Sequence, residues 1–458
     1  MKTVKKTLLR DSKTARWAAL AVVAFTMLCG YFLSDVLAPL QTMLEAEKGW
    51  SASDFGTFWS AYGWFNVFLL MLIIGGLVLD KFGVRITGLG ASSLMVAGTA
   101  IKYWAISSVF PDGAVILGLK AQVFWACMGY AVFCVGVEVA GITVTKIIVK
   151  WFKGKELALA MGLQLATARL GTLLALAITP FVAKHFQSVS APILLSLILL
   201  CIGLISFVVY CFMDKKLDAE DLSAASRSAE EQFKVSDIMF ILKNKGFWLI
   251  ALLCVLFYSA VFPYLKFASG LMVNKFGIDE ELAGLIPSVL PLGTLFLTPL
   301  FGNLYDRRGK GASIMILGAL LLIAVHALFT VPLITNWIVA LVLVIILGIA
   351  FSLVPSAMWP SVPKIIPDKQ LGTAFSLIFW IQNWGLMGVP MLIGWVLETC
   401  CKTGTMPTAD GATRTVYDYT LPMAIFMTLG ILALIFAFWL KYEDRKKGYG
   451  LELPNRTS

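Results

Sequence analysis

Long apolar runs alternate with short polar stretches along most of this 458-residue chain. Each run has about 20 or more residues, the length that an α-helix needs to cross the hydrocarbon core of a bilayer. The pattern therefore predicts an all-α membrane protein with twelve transmembrane helices. The twelve runs cover residues 17–40, 55–79, 86–108, 116–149, 157–182, 191–213, 247–274, 282–304, 312–332, 337–362, 371–399 and 421–441.

One longer polar stretch divides these runs into two sets of six. Residues 214–246 carry several acidic side chains, cannot remain in lipid, and are interpreted as a cytoplasmic linker. We therefore expect one six-helix bundle over residues 17–213 and a second over residues 247–441. Residues 1–16 form a basic cytoplasmic tail, and residues 442–458 form a second tail.

Lysine and arginine are unevenly distributed between the two sides of this arrangement. About 28 of the 37 lie on the side that holds both termini, and about seven lie on the other. Since loops facing the cytoplasm carry an excess of these residues, both termini are predicted to be cytoplasmic. The basic residues behind the net charge of +10 therefore lie in the loops. We expect the protein to interact with the lipid bilayer and not with a nucleic acid.

The composition argues against several other classes of protein. Residues are 59% hydrophobic and 14% charged, whereas soluble domains are about 25% charged. The chain has two histidines and lacks the CxxC and HExxH patterns that mark many metal sites. We expect no metal, no cofactor and no enzymatic activity.

Two charged residues lie inside neighbouring apolar runs, Glu138 in the fourth and Arg169 in the fifth. Counted from Lys153 in the turn between the runs, they are 15 and 16 residues away and so lie at nearly the same depth. A charge near the bilayer midplane costs at least ~2.5 kcal/mol, which favours a functional role. The alternative is a permanent ion pair that fixes one helix against the other.

An internal repeat relates the two halves. The pattern G-x-x-x-D-[KR]-x-G follows the second and the eighth runs. Its glycines permit a tight turn and close helix packing, and its acid can cap a helix or pair with a base across the halves. We interpret the two copies as a conformational latch, although ordinary basic loops are the simpler alternative. The latch motifs comprise Gly76, Asp80, Lys81, Gly83 and Arg85 in the first half and Gly302, Asp306, Arg307 and Gly309 in the second.

This paired signature on a six-plus-six scaffold resembles the major facilitator superfamily, which implies two pseudo-symmetric bundles that rock about a central site. Several stretches are similar to the lysosomal dipeptide transporter branch of that superfamily. They are WFKGKEL at 151–157, GLQL at 162–165, ARLG at 168–171, GWFNV at 63–67, AVFP at 260–263, WP at 359–360, QLGTA at 370–374 and IQN at 381–383.

The resemblance implies an alternating-access transporter of small zwitterionic peptides. The residue matching Glu138 would hold the amino end of a dipeptide, and the residue matching Arg169 would hold its carboxylate. Asp35 matches an acidic position of the first helix, whereas Lys266 departs from the branch and puts identical substrate choice in doubt. The resemblance also implies that the helices carrying Asp35 and Lys266 line the cavity, so these two residues are expected to face each other across the halves.

The alternative is a major facilitator carrier of organic anions or other small metabolites, with or without proton coupling. Arg169 and Lys266 would then bind the anionic group. The first helix lacks the E-x-x-E-R pattern of proton-coupled peptide carriers, so we expect facilitated diffusion.

Other polar and aromatic residues in the apolar runs complete the candidate site. Asn66, Gln382 and Asn383 carry amides that need partners, either on another helix or on a ligand. Tyr62 and Trp359 could line pockets for varied side chains, or anchor the protein at the membrane interface. The chain is expected to act as a monomer, and an accessory subunit is left open.

The basic tail also bears on location. Leu8 and Leu9 lie among basic residues with no acid upstream, so an acidic dileucine sorting signal is absent from this tail. This favours a plasma membrane, or a bacterial inner membrane, over a lysosomal one.

Overall fold

The computed structural model describes residues 9–111, 113–152, 155–220, 235–367, 370–407 and 413–454. The centre of the predicted linker and the outer parts of both predicted tails lie outside the described residues, as do residues 153–154 of the turn between the fourth and fifth runs.

Helices account for nearly all of the described chain. The α-helices are α1 Lys13–Asp35, α2 Gln41–Lys48, α3 Ala52–Phe68, α4 Met71–Ser107, α5 Ala121–Phe152, α6 Leu157–His185, α7 Ala191–Glu220, α8 Val235–Leu242, α9 Lys245–Phe276, α10 Leu285–Arg308, α11 Gly311–Thr330, α12 Trp337–Ile365, α13 Leu371–Cys400 and α14 Thr420–Lys447. Short 3-10 helices cover Leu9–Asp11 and Ala38–Leu40. Two antiparallel hairpins pair β1 Val115–Ile116 with β2 Leu119–Lys120, and β3 Lys402–Pro407 with β4 Thr413–Tyr417.

The predicted all-α membrane fold is confirmed. Among the described residues, ten helical segments are long and apolar enough to cross a bilayer, and α3 with α4 forms a further pair bent by 55°. The bend follows Leu70, whose φ of 53° interrupts the helix. A second break lies inside α4 at Gly83 (φ 75°, ψ 177°), between the predicted runs 55–79 and 86–108. Divided there, the helices are compatible with the twelve predicted spans.

Close contacts between backbones hold α4 against α5. A Cβ atom on Gly129 would lie 2.5 Å from the backbone nitrogen of Lys102, and one on Gly98 would lie 2.4 Å from that of Phe133. Only glycine allows this approach, which is a common device of helix packing in membranes. The position of α5 in the first half is thereby fixed.

The two halves interlock on the side away from the termini, here called the outer side. The backbone N–H of Ala52 donates to Glu398 at 3.2 Å, and the N–H of Thr415 donates to Glu45 at 2.9 Å. A Cβ atom on Gly56 of α3 would lie 2.5 Å from the carbonyl oxygen of Pro390 in α13. Helices of opposite halves are therefore in direct backbone contact there.

On the side that carries the termini, the inner side, the contacts have a different pattern. Arg16 pairs with Glu156 at 2.9 Å in the first half, and Lys245 pairs with Glu443 at 3.0 Å in the second. Over the described ranges, every ion pair on the inner side joins elements of the same half. The conformation is therefore closed at the outer side.

The last described residues, 449–454, fold back onto the inner end of the second half as a C-terminal strap. The N–H of Gly311 donates to the Leu451 carbonyl at 2.9 Å, and the N–H of Ser313 donates to the Glu452 carboxylate at 2.9 Å. The Leu451 side chain is fully buried. The strap thus caps the start of α11 and is part of the packed structure.

Candidate functional site

Glu138 lies near the middle of α5, on the face towards α3. Its half-buried carboxylate accepts a hydrogen bond from the hydroxyl of Tyr62. The same turn of α3 carries Asn66, whose amide nitrogen donates to the Tyr62 carbonyl at 3.2 Å. The structure therefore brings three of the candidate residues into one hydrogen-bonded group.

Arg169 reaches the second half from α6. A Cβ atom on Gly171 would lie 2.5 Å from the Leu28 carbonyl oxygen, so α6 crosses α1 closely just beyond the arginine. The guanidinium carbon lies 5.6 Å from the ring centre of Phe262 and 5.5 Å from that of Phe351. Cation–π attraction to aromatic faces can hold the guanidinium there without using its five N–H donors.

Glu138 and Arg169 do not neutralise each other. Within the described part of the chain, no ion pair joins them and Arg169 makes no hydrogen bond. The half-buried Tyr31 of α1 lies close enough to Arg169, Glu138 and Asp35 for all three charges to act on it. The two charges thus border one site and have separate partners, unlike the permanent ion pair considered as an alternative.

Aromatic residues of the second half form the surface opposite Arg169. Trp359 donates from its indole nitrogen to the Tyr258 hydroxyl at 2.9 Å and stacks on Phe379 at 4.9 Å between ring centres. Tyr258 in turn contacts Phe262 and Phe351, each at 5.5 Å between centres. Trp359 therefore belongs to an aromatic cluster that borders the site.

Two buried amides lie where α3 crosses α13. Asn383 donates to the Phe379 carbonyl at 2.9 Å. Its side-chain carbonyl oxygen, like that of Asn66, has no hydrogen-bond partner in the described part of the chain. A Cβ atom on Gly63 would lie 3.2 Å from the Asn383 backbone oxygen, so the two amides belong to one crossing. Gln382 lies on the other side of α13 and accepts from the Cys254 thiol at 3.6 Å. Asn66 and Asn383 thus offer free acceptors, and Gln382 packs inside the second half.

Asp35 and Lys266 meet across the halves. The Lys266 ammonium donates to the Asp35 carboxylate and to the Ser34 carbonyl at 3.3 Å. It also lies 4.1 Å from the ring centre of Trp59. Because Lys266 is ten residues from the outer end of α9 at Phe276, the pair ties the halves on the outer side of the Glu138–Arg169 level.

The first latch motif forms its ion pairs inside its own half. Asp80 accepts from Lys146 of α5 at 2.7 Å, and Arg85 lies 3.3 Å from Asp218 at the end of α7. Lys81 lies over the ring of the adjacent phenylalanine at 5.3 Å. The positive φ of Gly83 makes the turn, and a Cβ on Gly76 would contact nothing within 4 Å.

The second latch motif faces the C-terminal strap. Gly309 adopts a φ of 66° and packs directly against the strap backbone, whereas Arg307 is exposed and Asp306 half-buried. A Cβ on Gly302 would meet no atom within 4 Å. In this outer-closed conformation the described ion pairs of the first motif stay within one half, so a latch between halves remains a prediction.

Several residues of this region are not among those that the sequence pattern indicates. Phe262 and Phe351 hold Arg169. Phe262 belongs to the AVFP stretch at 260–263, but that stretch does not indicate a contact with Arg169, and Phe351 carries no signal because aromatic residues are frequent in apolar helices. Lys102 was also missed, although a lysine inside the run 86–108 is the same kind of signal that singled out Glu138. Its side chain is 1% exposed.

Comparison with known proteins identifies the scaffold. The sequence profile of the Major Facilitator Superfamily matches residues 20–390. The chain belongs to the major facilitator superfamily. The lysosomal dipeptide transporter MFSD1 of Danio rerio is 30% identical over 453 residues, which cover 96% of this chain and 90% of that protein. The MFSD1 of Bos taurus is 29% identical over 392 residues, covering 84% and 80%. A solved structure of the peptide transporter POT superposes with a TM-score of 0.68 at 15% identity, covering 94% of this chain and 95% of that one.

The resemblance to the dipeptide transporter branch is thereby confirmed as a sequence relationship, and the major facilitator fold is confirmed. The protein is an integral, multi-pass membrane transporter of a small-molecule substrate and not an enzyme. In such a carrier, direct contact between the halves on the outer side, with the described ion pairs of the inner side each confined to one half, corresponds to one end state of alternating access.

Proposed function

We propose that this transporter carries dipeptides by facilitated diffusion, with Glu138 and Arg169 as clamps for the two ends of the substrate. One observation carries the proposal: two opposite charges border the same site in one half and are not paired with each other. A salt bridge between them would have to be broken before a ligand could bind, which would reduce affinity. The observed partners, a tyrosine hydroxyl and two aromatic rings, leave both charges available.

The chemistry of a dipeptide fits these groups. Its ammonium and carboxylate lie about 5 to 7 Å apart, given at most ~3.6 Å per residue. The guanidinium can bind a carboxylate through two parallel hydrogen bonds. Glu138 can accept from the ammonium, and the free amide oxygens of Asn66 and Asn383 offer further acceptors. The aromatic cluster around Trp359 supplies apolar area with few fixed polar demands, which suits varied side chains.

The relatives named lysosomal dipeptide transporter MFSD1 support the same substrate class. The alternative, an organic-anion carrier, needs Lys266 beside Arg169 as a second anion-binding cation. In this outer-closed conformation Lys266 is not available for that role, because its ammonium is bound to Asp35 and lies over the ring of Trp59.

A thermal-shift and uptake experiment tests the proposal. We expect dipeptides to raise the melting temperature of the purified protein, and we expect dipeptides with an acetylated amino end or an amidated carboxyl end to have no such effect. Organic acids that stabilise the protein as well as dipeptides do would favour the anion carrier instead.

Variants of the two clamps provide the second arm. Glu138→Gln and Arg169→Ala should each abolish dipeptide uptake into liposomes while the protein remains folded in detergent. The matched controls are Glu280→Gln and Arg414→Ala, which alter an outer-surface pair 3.7 Å apart. Normal uptake by either clamp variant would contradict the proposal. Uptake that persists without a proton gradient would support facilitated diffusion.

The membrane in which the carrier works is a separate question. The basic tail favours a plasma membrane or bacterial inner membrane, whereas the relatives carry lysosomal names. Imaging of a fluorescent fusion against markers of both membranes distinguishes them.

A further inference from the structure

A third ionisable residue lies beside the Asp35–Lys266 pair and takes no part in the proposed clamp. Lys102 of α4 is 1% exposed, and its ammonium has no hydrogen-bond partner among the residues that the structure describes. The ammonium lies 5.4 Å from the ring centre of Tyr130 and 5.7 Å from that of Phe58. A buried, unpartnered charge is costly, so its presence requires an explanation from another state of the protein.

Tyr130 connects Lys102 to the pair. Its hydroxyl donates to the Ser34 carbonyl at 3.2 Å, and the same carbonyl accepts from Lys266 at 3.3 Å. The Lys102 ammonium is close enough to Asp35 and to Lys266 to interact electrostatically with both. Two cations therefore surround one carboxylate, and only one of them is bound to it.

The cations belong to different halves. Asp35 and Lys102 lie on α1 and α4 of the first half, whereas Lys266 lies on α9 of the second. Lys102 is also near the outer side, five residues before the end of α4 at Ser107. A separation of the halves at the outer side would take Lys266 away from Asp35 with α9, whereas Lys102 and Asp35 belong to the same half.

We propose that Lys102 is the second counter-ion of Asp35, which replaces Lys266 when the halves separate at the outer side. In the closed conformation Lys266 neutralises Asp35 and ties the halves together. In the open conformation Lys102 takes its place, and Lys266 is exposed to water in the opened cavity. The carboxylate therefore retains a counter-ion in both end states. Without the exchange, opening would leave Asp35 without a counter-ion.

An accessibility experiment tests this exchange without any substrate, so its outcome is independent of the dipeptide proposal. Ala52 lies at the outer crossing of α3 and α13 and is 2% exposed. A cysteine placed there by Ala52→Cys reacts with an impermeant maleimide only when the outer side opens. The exposed Cys201 and Cys400 are replaced by serine in this background.

Lys102→Met should slow the labelling at least about tenfold, because the open state loses its counter-ion. Asp35→Asn removes one ion pair from each end state, so it supplies the background in which Lys102 has no carboxylate to neutralise. The decisive comparison is the double variant that combines Lys102→Met with Asp35→Asn. It should label at the rate of Asp35→Asn alone, because Lys102 then has no carboxylate to neutralise. Labelling that is unaffected by Lys102→Met, or slowed equally in both backgrounds, would overturn the proposal.

The melting temperature of Lys102→Met distinguishes a counter-ion role for Lys102 from a role in packing the closed state. Removing an unpartnered buried charge should leave the closed protein at least as stable as the parent. A lower melting temperature for Lys102→Met would assign Lys102 to packing in the closed state and contradict the exchange. If that variant does not fold, Lys102→Gln is measured in the same way.

Discussion

A substitution at the crossing of α3 and α13 should shift the equilibrium between the outer-closed and outer-open states. In Gly56→Ala the added Cβ would lie 2.5 Å from the Pro390 carbonyl oxygen and 2.8 Å from the Gly394 Cα. Both obstacles are backbone atoms of the opposite half, so no flexible side chain can move aside. We therefore expect the substitution to destabilise the outer-closed state selectively, since the open state has no such contact.

The magnitude follows from the cost of overpacking. Forcing one extra carbon into a tight interior typically costs about 1 to 3 kcal/mol. Since about 1.4 kcal/mol is a tenfold change in an equilibrium constant, the ratio of open to closed molecules should rise roughly 5- to 150-fold. A protein that is mostly closed would then spend a substantial fraction of its time open.

Crosslinking across the outer side measures this change. Lys184 and Glu281, from opposite halves, are in contact in the closed state. With cysteine at both positions, and serine at the exposed native cysteines, a short bismaleimide should join the halves of the parent rapidly. Gly56→Ala should slow that reaction in proportion to the closed fraction that it loses.

The matched control lies on the same helix pair. Gly388 of α13 is six residues before Gly394, and a Cβ there would meet no atom within 4 Å. Gly388→Ala should therefore crosslink like the parent. Equal crosslinking by Gly56→Ala and the parent, or an equal loss in the control, would refute the reasoning.

Three further predictions concern stability. Leu451→Ala should reduce the free energy of unfolding by about 2 to 5 kcal/mol because the side chain is fully buried, whereas Leu453→Ala, at a position 63% exposed, should have little effect; thermal shift compares them. Gly83→Ala should cost about 1 to 3 kcal/mol by the same measurement, since φ 75° with ψ 177° is open to glycine almost alone. The pKa of Glu156 is held below its ordinary 4.5, first by a hydrogen bond from its own backbone and then by one from Arg16. Its stabilisation is therefore complete above pH 4.5 and is lost as the pH falls through the lowered pKa, so the melting temperatures of the parent and Glu156→Gln should differ at pH 7 and converge in acid.

The sequence predicted the scaffold well because helix length and hydropathy are local properties. The bilayer forces each span to satisfy its own backbone hydrogen bonds, so apolar runs of sufficient length become helices regardless of their neighbours. The break at Leu70 was not predicted, since the sequence around it is uniformly apolar. The position of Gly83 was foreseen as a turn, because it ends a repeated glycine-containing motif.

The candidate site was predictable only in part, for a physical reason. Glu138 and Arg169 stood out because a charge in lipid is expensive wherever it lies. Their partners depend on how helices cross, and no local pattern reveals that Arg169 would lie over Phe262 and Phe351. The same rule applies to Lys102, a charged residue inside the apolar run 86–108. Its relation to Asp35 is not predictable from the sequence, because it arises from the contact between α1, α4 and α5.

The C-terminal strap also affects how the protein is made. Glu452 lies 139 residues after Ser313, the start of the helix that it caps. A ribosome synthesises about 5 to 20 residues per second, so Glu452 is added to the chain roughly 7 to 28 seconds after Ser313. During that interval the turn after Gly309 has no strap to cover it. Completion of the second half therefore requires synthesis of the strap, and a stalled chain that ends before residue 449 would expose an uncapped helix at the inner surface.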